Sequence, residues 1–105
     1  MKILEKHVQK AILDYLRLKK IFCWKNSTVG IKKENGSYIP SGFRGVSDIL
    51  GILPGGRFLA IEVKRDRASM QKITVEQFDF LANINQRGGL GFVASSIDDV
   101  IKQGI

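Results

Sequence analysis

The segment GVSDILGILPGGRFLAIEVK, Gly45 to Lys64, constrains the chain most. It reads as two short apolar strands joined by a glycine-rich turn. Runs of Ile, Leu, Val and Phe bounded by Gly and Pro have the composition of strands. Each run carries an acid where a core strand would not. Asp48 opens the first, and Glu62 stands two residues before Lys64 on the second. Strand side chains alternate between faces, so Glu62 and Lys64 share one face and Ile61 and Val63 the other. Pro54, Gly55 and Gly56 suit a three-residue hairpin loop, a class that needs Gly at its left-handed position. Closing that loop with Leu53 against Arg57 carries Asp48 directly across from Glu62, with Cβ atoms about 4.5–5.5 Å apart. A slip of one residue would face Asp48 with Val63 and dismantle the arrangement.

Two carboxylates so close repel, and without a counter-charge one takes up a proton. A divalent cation removes that penalty, and a small set of hard oxygen donors suits Mg²⁺ or Mn²⁺. Lys64 on the same face can hold an attacking water or steady negative charge growing on phosphorus. These are the requirements of phosphodiester hydrolysis. The plainer alternative is a set of solvated charges on a strand's outer face. The acids interrupt strands that otherwise look buried, which weighs against it.

Charge points the same way. Lys and Arg outnumber Asp and Glu 17 to 10 in 105 residues, a net charge of +7. A small domain this basic is expected to meet a polyanion such as nucleic acid, although charge for solubility gives the same balance. Length predicts a single domain over residues 1–105. The one cysteine, Cys23, excludes an internal disulfide and reads as a buried strand thiol in a reducing compartment. The one histidine, His7, has no cluster with which to build a zinc site. No signal-like apolar core and no membrane-length run are present, so a cytoplasmic protein without a membrane partner is expected.

Residues 3–20 have the period of an amphipathic helix, with Leu4, Val8, Ala11, Ile12, Tyr15 and Leu16 on one face. Glu5 and Gln9 lie at the edge of that face. Glu5 is either a solvated flank or a group reaching the site from beneath. Ile21 to Asn26 is a first strand, with Trp24 among its anchors. Residues 27–47 form a long loop, with a loose hairpin around Asn35-Gly36. The loop carries Lys32, Lys33 and Arg44 with Tyr38 and Phe43, a mixture suited to a phosphate backbone and unstacked bases. The alternative is a surface loop with scattered charge.

After Lys64, the residues Arg65, Arg67 and Lys72 are placed to line a nucleic-acid track. Thr74 with Gln77 has the spacing of a capping box opening a second helix. Val75, Phe78, Leu81 and Ala82 are its expected inner stripe, and Gly88 or Gly89 its end. A strand from Phe92 to Ser95 follows, and a short closing helix starts at Ser96 or Asp98. The strand–helix–strand unit implies a parallel pair. The predicted fold is α/β, a four-stranded mixed sheet flanked by helices in the order α-β-β-β-α-β.

That order, with D…E-x-K, resembles the PD-(D/E)xK nuclease superfamily and most closely its VRR-NUC (virus-type replication-repair nuclease) family. The likeness covers nearly the whole chain: Glu5 with Gln9, then GVSDILGILPGGRFLAIEVK, then TVEQFDFLANINQRGG. It implies a restriction-endonuclease-like fold and a metal-dependent DNA endonuclease acting in DNA repair, in the host cytoplasm for a viral or bacterial protein. Asp48 and Glu62 would ligate the metal, completed by the Val63 carbonyl, with Lys64 the catalytic lysine. Glu5 would add an acid at or near the metal, and Gln77 would orient the site or the phosphate. Likeness to Holliday-junction resolvases implies a homodimer. One position departs: Ser47 stands where the superfamily usually has proline before the aspartate. The competing readings are a nucleic-acid binder without catalysis and a subunit of a replication or restriction assembly.

Overall fold

The hairpin expected at the centre of the chain is the centre of the fold. In a computed structural model, Ile49–Ile52 (β4) pairs antiparallel with Phe58–Val63 (β5). Residues 2–27, 31–32, 34, 36, 38–39 and 44–105 are described. The Leu53 N–H donates to the Arg57 carbonyl at 2.8 Å, and Gly55 and Gly56 take φ of 93° and 89°. Those angles are open to glycine at no steric cost. The loop closes as predicted, and Ile49 faces Ile61 across the ladder. Continuing that register by one step sets Asp48 opposite Glu62.

Glu5–Leu18 forms α1, Phe22–Lys25 forms β1, and Val75–Gln86 forms α2, followed by β6 at Leu90–Ala94 and α3 at Ile97–Ile101. The sheet has the order β1-β4-β5-β6. β6 runs parallel to β5, and the other pairs are antiparallel. The mixed α/β architecture is therefore the expected one. A two-residue ladder joins Ile31–Lys32 (β2) to Tyr38–Ile39 (β3), bracketing the anticipated Asn35-Gly36 turn. Lys33, Asn35 and Phe43 lie outside the described residues, as do the side chains of Lys32 and Tyr38.

Odd-numbered positions of β4 and β5 face α1. Val8, Ile12, Leu13 and Leu16 pack with Ile49, Leu59, Ile61 and Val63, and Val100 of α3 closes the cluster. Area lost from water at these side chains, about 25 cal/mol per Å², is the main force holding α1 to the sheet. Leu4 and Ala11 point outward instead of joining the stripe.

The other face carries Ala60, Glu62 and Gly91, and α2 packs over β5 and β6. Gly91 sits beneath the helix because a Cβ there would lie 3.1 Å from Leu81 Cδ2. The stripe anticipated for α2 is corrected. Leu81 is buried, but Val75 is 72% and Phe78 61% exposed. The helix offers two apolar phases, and the structure uses the one that also aims Gln77 at Glu62.

Trp24 is corrected too. It is 38% exposed rather than a core anchor, because its register with Leu50 sets it on the α2 face, beyond the helix's cover. Cys23, on the α1 face, is half-buried, and burial raises its thiol pKa.

Candidate metal and phosphodiester site

Three local devices bring the site together. The first is the hairpin register, which places Asp48 and Glu62 on one face of adjacent strands. The second is the entry to β4. Gly45 takes φ of 77°, and a Cβ on it would lie 2.3 Å from the Glu76 carbonyl oxygen. Only a residue without a side chain lets this loop meet the first turn of α2. The third is the start of α2 itself. Thr74 Oγ1 accepts from the Gln77 N–H at 3.1 Å, while Gln77 Oε1 accepts from the Thr74 N–H at 2.9 Å. The capping box is thus formed as its sequence implied.

That box leaves the other end of the Gln77 amide free for the site. Gln77 Nε2 donates to Glu62 Oε1 at 2.8 Å. Capping and orientation are done by the two ends of one amide. Asp48 is held separately: the Val63 N–H donates to Asp48 Oδ2 at 2.8 Å. Neither bond is readable from spacing, because each depends on which way a side chain leaves its element.

Glu62 is 3% exposed, and its Oε2 has no hydrogen-bond partner among the described residues. Its polar neighbour is the Asp48 carboxylate, which is also an acceptor. Two acceptors in contact are reconciled by a shared proton or by a cation between them. In the metal-free chain the electrostatics favour the first. Burial, then the charge of Asp48 and hydrogen bonding with it, push the Glu62 pKa from 4.5 up to about 8. Lys64 opposes the shift, and Glu5 adds slightly to it. Lys64, half-buried just beyond β5, is tied by its N–H to the Ala94 carbonyl at 2.9 Å.

The donor set fits a hard divalent cation: carboxylate oxygens, one of them orphaned and buried. It is a pair rather than a full cage. Among the described residues no group of three or more His, Cys, Asp or Glu is gathered in ligating geometry. Glu5 stands exposed in the first turn of α1 and reaches Glu62 through its charge. Val63 enters through its N–H on Asp48.

The basic residues divide. Arg65 pairs with Asp66 at 3.4 Å and, with Asp66, Lys2 and Ile3, lines a cleft of about 390 Å³. Arg67 and Lys72 are exposed on the segment that follows. Arg44 lies on the other side, against α2, where it lines a cavity of about 490 Å³ with Phe80, Ile84 and Arg87.

Comparison of the chain with models of known protein families and with curated proteins returned no match. No helix among the described residues is long and apolar enough to cross a membrane.

Proposed function

We propose that this protein is a Mg²⁺- or Mn²⁺-dependent DNA endonuclease of VRR-NUC type, with the restriction-endonuclease-like fold of the PD-(D/E)xK superfamily. The observation that carries the reading is the buried Glu62 oxygen that no donor among the described residues reaches, set against a second carboxylate. Buried carboxylate oxygens kept for stability alone are supplied with donors. Here each acid has one donor, the Val63 N–H on Asp48 and the Gln77 amide on Glu62 Oε1, and the buried Glu62 Oε2 is left open.

In this reading Asp48 and Glu62 hold the cation, with Val63 offering its carbonyl and Glu5 adding negative charge nearby. When bound, such an ion polarises a phosphoryl oxygen and acidifies water. Gln77 fixes the Glu62 carboxyl plane so that its open oxygen keeps one direction. Asp48 is fixed by the Val63 N–H. Lys64 supplies a positive Nζ on the same side, placed to hold the attacking water and offset charge gathering on the phosphate. Arg44, Arg65, Arg67 and Lys72 neutralise the DNA backbone to either side, a role the sequence also suggests for Lys32 and Lys33. A homodimer would present two such sites to a four-way junction.

The test is cleavage of labelled junction, flap, single-stranded and duplex DNA with the metal varied. Wild type is expected to cut only with Mg²⁺ or Mn²⁺, and Asp48→Ala and Lys64→Ala to lose at least about 100-fold of that activity. Equal cutting by all three proteins would refute the assignment. Salt-sensitive binding with no cutting under any metal would leave a nucleic-acid binder.

A further inference from the structure

The face that carries Asp48 and Glu62 continues past the helix that covers part of it. The register sets Trp24 beside Leu50, in one row that continues through Ala60 to Gly91, and Phe22 beside Ile52, in the row of Phe58, all on this face. Trp24 stands one pleat repeat, about 7 Å, from the row of Asp48. The two flanks of α2 fix how far the helix reaches. On its β6 side, Asn85 clasps the outer edge of the sheet, donating to the Gly91 carbonyl at 2.9 Å and accepting from its N–H at 2.8 Å. On its other side lies the cavity of about 490 Å³, whose lining sets Arg44 and Arg87 against Glu76 and Asp79. The β1 half of this face is left with Trp24 38%, Ile52 40% and Phe22 68% exposed. The two rings meet at 5.5 Å between centroids, inclined by 57°.

A tilted aromatic pair in water on a strand surface forgoes burial that an aliphatic core position would have had. Exposed apolar surface of this kind marks an interaction site. Its chemistry selects the occupant. Aromatic faces on a sheet are how proteins take up unstacked bases. A second copy of this chain would bring +7 against +7, whereas a polynucleotide brings the opposite charge.

We propose that Trp24 and Phe22 form a stacking platform for unpaired bases, so that the protein grips a single strand next to the phosphate it cuts. The platform rests on the nuclease reading for its purpose, since it continues the carboxylate face. It selects DNA with an unpaired strand at the cut over uninterrupted duplex.

The chain has one tryptophan, so its selectively excited fluorescence reports Trp24 alone. Wild type in EDTA is titrated with a short oligo-dT strand and with the same strand annealed to its complement. Binding is followed in parallel by anisotropy of a label on the DNA. Saturable quenching of Trp24 is expected with the single strand and much less with the duplex. Trp24→Ala should weaken single-strand binding at least about five-fold, the lower end of what losing one base–aromatic stack removes, and duplex binding less than two-fold. Trp24→Phe should restore most of the loss, and Phe22→Ala provides a second variant if Trp24→Ala does not fold. Single-strand binding without a change in Trp24 emission would overturn the platform, as would equal weakening on both DNAs or no binding. Emission that changes with protein concentration alone would show a second copy on this face and overturn it too. Quenching in a protein that cuts nothing under any metal would keep the platform and discard the nuclease.

Discussion

Glu62 makes the stability of the metal-free protein depend on pH in a direction opposite to that of an ordinary paired carboxylate. Its pKa is about 8 in the folded chain against 4.5 for the free side chain. Below pH 4.5 both states carry the proton, and Glu62 opposes folding in neither. Between about 4.5 and 8 the unfolded chain releases the proton while the folded chain keeps it, so each pH unit removes about 1.4 kcal/mol of stability. The whole interval sets an upper bound of about 5 kcal/mol. Water reaching the Asp48 and Lys64 side of the pair screens part of this, and about 2–3 kcal/mol is the expected loss. A domain of this size commonly has about 5–15 kcal/mol in all. Glu62→Gln removes the titration with the hydrogen bonds kept: Gln77 still donates to the side-chain oxygen, and the new amide can donate to Asp48. Urea unfolding in EDTA from pH 5 to 8.5 should show wild type weakening across the range and the variant holding level, more stable than wild type at pH 8. Adding Mg²⁺ or Mn²⁺ at 100 times its dissociation constant should return about 2.7 kcal/mol to wild type and far less to the variant. Stability curves that run parallel with pH would refute the argument, since the Glu62 proton would then not be taken up on folding.

Two further substitutions test the frame of the site. Gly45→Ala would drive a methyl to 2.3 Å from the Glu76 carbonyl at φ of 77°, and is expected to cost at least about 2 kcal/mol in urea unfolding and to lower cleavage by displacing α2. A stability within about 0.5 kcal/mol of wild type would show that the loop and α2 are not in contact. Ser47 is fully buried, and its Oγ has no partner among the described residues. A buried hydroxyl without a partner costs about 1–3 kcal/mol, so Ser47→Ala should be neutral or up to about 1 kcal/mol more stable, with cleavage unchanged. Destabilisation beyond about 1 kcal/mol would contradict the orphaned state of that oxygen.

What could be read without coordinates was governed by local rules. Strand alternation and the allowance of Gly55 and Gly56 for positive φ were enough to set β4 against β5 in register and bring Asp48 to Glu62. Thr74 and Gln77 announced the start of α2 because a capping box is closed within four residues. The parallel order of β5 and β6 followed from one helix lying between them. What failed was the choice between equivalent faces. Val75, Phe78 and Ala82 share one helical phase and Gln77, Phe80, Leu81 and Ile84 another, and both look apolar enough to pack. Trp24 looked like core because hydrophobicity does not say whether a helix extends far enough to cover a strand.

By itself, the order of residues determined that two acids and a lysine would line up on one side of a hairpin, because that depends only on backbone periodicity and one turn. Tertiary structure alone decided what state they are in. The free half of the Gln77 amide, the Val63 N–H on Asp48 and the absence of any donor at the second Glu62 oxygen arise from elements distant in the chain. Burial and mutual repulsion of the acids, which raise the Glu62 pKa, exist only once those elements have packed.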